Sequence, residues 1–82
     1  MERIEEALKY YNEKDYQKAL DIFSSILEQN DDNAEIYNNI ATCYLQLGDF
    51  EKAEKNYLKA QNLNPKLPQV YINLADIYYK QG

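Results

Sequence analysis

Shifted by 34 residues, this chain matches itself, and that periodicity constrains its fold more than any other feature. Tyr37, Asn39, Ile40, Ala41, Tyr44 and Gly48 recur as Tyr71, Asn73, Leu74, Ala75, Tyr78 and Gly82. In the other direction, Ala41, Tyr44, Asp49, Phe50, Lys52, Ala53 and Tyr57 match Ala7, Tyr10, Asp15, Tyr16, Lys18, Ala19 and Phe23. A repeat of this length signals stacked two-helix units, each unable to bury its apolar face alone. Within the central unit, Tyr37, Ile40, Ala41 and Tyr44 lie three or four apart, as one buried helix face requires. Gly48-Asp49 interrupts the pattern. Glycine accepts the left-handed conformation at a helix end, and aspartate caps the next helix. Phe50, Ala53, Tyr57 and Ala60 form the second apolar face, and Asn64-Pro65 stops it. The spacing predicts helices over 2–13, 16–29, 34–47, 50–62 and 68–81. Lys14-Asp15 makes the first turn, Asn30-Asp31-Asp32-Asn33 the second, and Gly82 ends the fifth helix as Gly48 ends the third.

The pattern resembles the tetratricopeptide repeat (TPR) family over the whole chain. That family places an aromatic, a Leu-type apolar, a small residue and a Tyr on the first helix of a unit; Tyr37, Ile40, Ala41 and Tyr44 supply them. On and after the second helix it places Ala, an aromatic, Ala and Pro, here Ala53, Tyr57, Ala60 and Pro65. The resemblance implies an all-α, right-handed helical-repeat solenoid of five helices, one domain over 1–82. It holds about two and a half units, over 1–33, 34–67 and, in part, 68–82. Arg3 and Glu6 depart from the pattern where Tyr37 and Ile40 keep it. Terminal repeats are often atypical, so residue 1 is expected to lie near a solenoid end.

Composition excludes several function classes. The chain has no histidine and one cysteine, Cys43, so no internal disulfide is expected. Ser24, Ser25, Thr42 and Cys43 are the nucleophile candidates, and none has a histidine to activate it; no catalytic residue is assigned. Cys43 reads as a small buried apolar residue facing the following helix. Asp31-Asp32 lacks a calcium-loop pattern, and two glycines make no phosphate loop, so no metal and no cofactor are expected. The net charge is −5; residues 1–41 carry 4 basic and 10 acidic side chains, and 42–82 carry 5 and 4. A chain with this balance and no basic stripe is a poor nucleic-acid binder. It also has no run long and apolar enough to span a membrane. A cytoplasmic location is the expectation.

What remains is protein binding. In the resembled fold the first helices of successive units line a concave groove. Positions off the packed face of the third helix are Asn38, Asn39, Thr42, Leu45 and Gln46. The flanking units add Ile4, Leu8, Tyr11 and Asn12, then Ile72, Asn73, Asp76, Tyr79 and Lys80. Asn39 and Asn73 share a register and resemble the asparagine ladder of some family members, whose amides hold a peptide backbone; a solvated or helix-bonded amide is the alternative. The carboxylate clamp of chaperone-binding members is not matched. Its positions hold Ile4, Leu8, Asn39, Gln69 and Asn73, and only Asn39 agrees. The function expected is an adaptor or assembly module holding a partner polypeptide. The recognition arm of a larger enzyme or sensor, and a self-associating segment, are the alternatives.

Tyr10, Tyr44 and Tyr78 share the period and read as packing residues. The fifth helix has no hairpin partner. If Ile36 and Cys43 turn toward the fourth helix, their equivalents Val70 and Ile77 are left exposed. The expectation is that the solenoid continues, or that Val70, Leu74, Ile77 and Tyr78 bury themselves against a second copy.

Overall fold

Helix boundaries follow from local chemistry at each turn. The computed structural model describes residues 2–29 and 32–81; Asn30, Asp31 and Gly82, assigned above to turns, lie outside the described residues. Five helices follow one another: α1 (Glu2–Asn12), α2 (Tyr16–Gln29), α3 (Ala34–Gln46), α4 (Phe50–Leu63) and α5 (Pro68–Gln81). Asn33 caps α3, accepting from the Ile36 N–H at 3.1 Å. Asp15 and Asp49 act alike on α2 and α4, taking the N–H of Lys18 at 3.2 Å and of Lys52 at 3.1 Å. Each satisfies a backbone donor that the helix itself leaves orphaned.

The turns within the two hairpins are the same. Asp15 N–H donates to Tyr10 C=O and Lys14 N–H to Tyr11 C=O; Asp49 N–H donates to Tyr44 C=O and Gly48 N–H to Leu45 C=O. These are Schellman closures, which need a left-handed residue at the pivot. Gly48 takes it at φ 85°, and Lys14 takes it at φ 67°. Lys14 therefore carries the strain expected of a residue with a Cβ in that conformation.

Each helix packs on the next, and α3 also meets α5. The core lies in two clusters on either side of α3. The first joins Ala7, Ala19, Leu20 and Phe23 to Ile36, Ile40 and Cys43. The second joins Ala41, Ala53, Tyr57 and Ala60 to Val70, Leu74 and Ile77. Tyr44 touches both. Small alanines let helix axes approach while Phe23 and Tyr57, both completely buried, fill the space between them.

This arrangement corrects the reading of the third and fifth helices. Ile36 and Cys43 do not turn toward α4; they pack back onto the first hairpin. Tyr37 and Ala41 face α4 instead. Carried forward by one repeat, Val70, Leu74 and Ile77 pack back onto α4 and are buried, so they offer no surface for self-association. Tyr78, read as a packing residue, is 52% exposed. The cause is geometric. Ile36/Ile40/Cys43 and Tyr37/Ala41/Tyr44 are two apolar rows offset by one residue, or about 100° around the helix. Spacing shows both rows but not which one points forward along the stack.

Candidate functional site: a cleft across the first helices

The rows left over after packing converge on one side. Leu8, Tyr11 and Asn12 of α1, Asn38, Asn39, Thr42, Leu45 and Gln46 of α3, and Gln69, Asn73 and Asp76 of α5 line a cleft of about 430 Å³. No residue of α2 or α4 contributes. Ten of the fourteen expected groove residues are therefore brought together. Ile4 is not among them, because it packs against the first core cluster. Ile72, Tyr79 and Lys80 also stand outside the lining and are exposed, Tyr79 by 86%. Gln69 was missed. Its signal was its placement four residues before Asn73, a spacing at which helix amides pair.

The floor of the cleft is held by hydrogen bonds. Gln69 Nε2 donates to Asn73 Oδ1 at 3.2 Å, and Asn73 Nδ2 donates to Asn38 Oδ1 at 3.3 Å. This relay ties α5 to α3 and occupies both ends of the Asn73 amide. Thr42 Oγ1 donates to the Asn38 carbonyl at 2.8 Å. With its proton used there, Thr42 accepts from the Tyr57 hydroxyl, 2.7 Å away. Burial pushes the Tyr57 phenol up to about 12. Burial likewise pushes the Cys43 thiol up to about 11. A thiol that is neutral and completely buried suits packing rather than nucleophilic chemistry.

Other amides in the cleft are uncommitted. Asn12, Asn39 and Gln46 line it, and their side chains make no hydrogen bond among the described residues. Asn39 and Asn73 thus share a register without sharing a state: one amide is available, the other is bound into the floor. Leu8, Leu45 and Tyr11 supply the apolar part. Tyr11 is held in place by an edge-on contact with Tyr16, with ring centroids 5.2 Å apart. Desolvation, then the neighbouring Tyr16 and Cys43, raise its phenol. The one carboxylate in the cleft, Asp76, pairs with Lys80 at 3.4 Å. The cleft is thus close to neutral, with amide donors and acceptors set among apolar side chains.

Comparison with known proteins decides the family. The family model described as tetratricopeptide repeat matches residues 10–57, and a second, described as TPR repeat, matches residues 43–82. The chain belongs to the tetratricopeptide repeat family. Among curated relatives of this TPR chain is the photosystem I assembly protein Ycf3 of Synechococcus sp. (strain CC9311), 39% identical over 98% of this chain and 52% of that protein. The Ycf3 of Prochlorococcus marinus (strain NATL1A) is 37% identical over 94% of this chain and 50% of its own. The chain spans about half the length of the curated relatives it matches. Among solved structures, the Yersinia enterocolitica type III secretion chaperone SycD, in complex with a peptide of the translocator YopD, superposes with a TM-score of 0.94 at 16% identity. That match covers 99% of this chain and 62% of SycD. The likeness shows the fold: an all-α TPR-like helical repeat. No helix among the described residues is long and apolar enough to cross a membrane.

Proposed function

We propose that this TPR chain is a non-enzymatic interaction module that holds an extended segment of a partner polypeptide in the cleft between α1, α3 and α5, in an adaptor or assembly role. The observation that carries the reading is the set of uncommitted amides at Asn12, Asn39 and Gln46 beside Leu8, Tyr11 and Leu45. A carboxamide offers two donors and an acceptor, enough to satisfy a peptide unit without reading its side chain. The apolar neighbours add affinity through burial. Two comparisons support the reading: the Ycf3 relatives are named assembly proteins, and SycD was solved with a peptide of its translocator.

The partner is protein or peptide, with no nucleic acid or membrane involved, and the setting is cytoplasmic. Its segment is neutral or basic with apolar anchors, because the cleft holds no unpaired cation and the chain carries a net charge of −5. Binding of labelled peptides of different charge, measured at low and high salt, tests this. Neutral or basic apolar peptides should bind with little salt dependence. Asn39→Ala should weaken binding roughly two- to tenfold without lowering stability, as loss of one or two hydrogen bonds predicts. Selective binding of an acidic peptide, or indifference to Asn39→Ala, would reject the cleft as drawn.

A further inference from the structure

One flank of α4 is basic in a chain that is otherwise acidic. Lys52, Lys55 and Lys59 of α4, with Asn56 and with Tyr37 of α3, line a hollow of about 380 Å³. It shares no residue with the peptide cleft. The three lysines are a third of the chain's nine basic residues, and the net charge is −5. No carboxylate lines the hollow. Glu54 of the same helix is hydrogen-bonded to Tyr78 instead. All three lysines are exposed. Lys55 and Lys59 have no ion-pair partner among the described residues, and Lys52 has only Asp49 Oδ2, 4.0 Å away.

The lysine heads are placed as well as unpaired. Lys59 Nζ stands over the Tyr37 ring at 5.7 Å, and Lys52 Nζ over the Tyr44 ring at 5.6 Å. Attraction to the ring faces holds the two ammonium groups apart and limits the freedom they lose on binding. Asn56 adds no charge, since its Nδ2 donates to the Lys52 carbonyl at 2.9 Å. The hollow is particular to this hairpin. In the first hairpin the same positions hold Lys18, Asp21, Ile22 and Ser25, and Arg3 stands where Tyr37 does. There Ile22 packs against the core, and Arg3 Nη2 donates to Ser25 Oγ at 2.8 Å. The repeat architecture therefore does not require the lysine set.

We infer that the Lys52–Lys55–Lys59 hollow is a second binding site, for a carboxylate-rich segment of a partner polypeptide. Charge complementarity selects the ligand, and the spread of the cations selects its shape. Lys52 and Lys59 are separated by about 10 Å of helix rise. An extended acidic segment of three or four residues spans about that length and sets successive carboxylates along it. A single phosphate group is too compact to meet the outer two lysines where the rings hold them. Binding here fades at the salt concentration at which the apolar cleft keeps its peptide, so the two sites are separable.

The test is an NMR titration of the labelled 82-residue chain with capped hexaglutamate, and with capped hexaglutamine as its neutral counterpart. Hexaglutamate should give saturable shifts centred on Lys52, Lys55, Lys59 and Tyr37, with a dissociation constant of about 1 mM at low salt, since exposed ion pairs are individually weak. The shifts should largely disappear between about 10 mM and 150 mM salt, as the screening length falls from about 30 Å to about 8 Å. Lys55→Gln/Lys59→Gln, at exposed positions that leave the core intact, should weaken binding roughly three- to tenfold. Lys66→Gln and Asn39→Ala should leave it unchanged, and hexaglutamine should not bind. Absence of saturable shifts would overturn the inference, as would equal binding by hexaglutamine or shifts centred on Asn39 and Leu45. Inorganic phosphate that reproduces the shifts at equal concentration would overturn it in favour of a compact anion. Protection of Lys55 and Lys59 from an amine-modifying reagent before any peptide is added would overturn it too, since the chain itself or a second copy would then fill the hollow.

Discussion

Thr42→Val is the most informative single change in the core beneath the cleft. It keeps the shape of the side chain and removes one oxygen. That oxygen donates to the Asn38 carbonyl and accepts from the Tyr57 hydroxyl at 2.7 Å. Tyr57 is completely buried, so its hydroxyl would be left without an acceptor. Leaving a buried hydroxyl unpaired costs about 1–3 kcal/mol. Tyr57→Phe should cost less, about 0.5–1.5 kcal/mol, because Thr42 keeps its bond to Asn38. The double variant has nothing left unpaired and should cost little more than Tyr57→Phe alone. The two penalties should therefore fail to add, with a coupling of about 1–2 kcal/mol. Urea denaturation of the four proteins, with unchanged slopes, measures this. In a domain of this size each kcal/mol also shifts Tm by roughly 4–8 °C. Additive penalties, or a Thr42→Val cost below about 0.5 kcal/mol, would refute the hydrogen-bond assignment.

Phe23→Ala, which empties the centre of the first core cluster, should cost about 3–5 kcal/mol and leave much of the chain unfolded in a thermal melt. Lys14→Gly should raise stability by about 0.5–1 kcal/mol in the same denaturation assay, since glycine takes the positive φ of 67° without a Cβ clash and loses part of that gain to backbone entropy. Raising the pH should destabilise the fold. Cys43 and Tyr57 have folded values near 11 and 12 against ordinary values of 9.0 and 10.0, so their contributions are complete below those ordinary values and are lost as pH rises through the folded ones. Stability measured against pH should fall in that window, and a Tyr57→Phe/Cys43→Ala variant should fall less.

The helices were legible because their boundaries are local: Asp15, Asn33 and Asp49 cap without help from the rest of the fold, and Gly48 and Pro68 act through their own backbones. Most of the cleft was legible too, since the residues left after subtracting the packed rows of α1, α3 and α5 share one direction. The forward direction of the stack was not. Ile36 and Tyr37 are adjacent in the chain and both apolar, yet they serve different core clusters. Only the path of the neighbouring helices separates them, and that single ambiguity misplaced Val70, Leu74 and Ile77. The difference between Asn39 and Asn73 was hidden for a related reason. Asn38 of α3, which accepts from Asn73, is 35 positions away and has an isoleucine, Ile72, at its own repeat position.

Intermolecular contacts between the protein and a bound neutral or basic peptide test the central claim most directly. Isotope-filtered NOEs from an apolar-anchored peptide should reach Leu8, Tyr11 and Leu45, and the Asn39 side-chain amide should shift on binding, while the Asn73 amide, already engaged with Asn38 and Gln69, moves less. Contacts confined to the outer surfaces of α2 and α4, with the Asn39 amide unperturbed at saturation, would contradict the account.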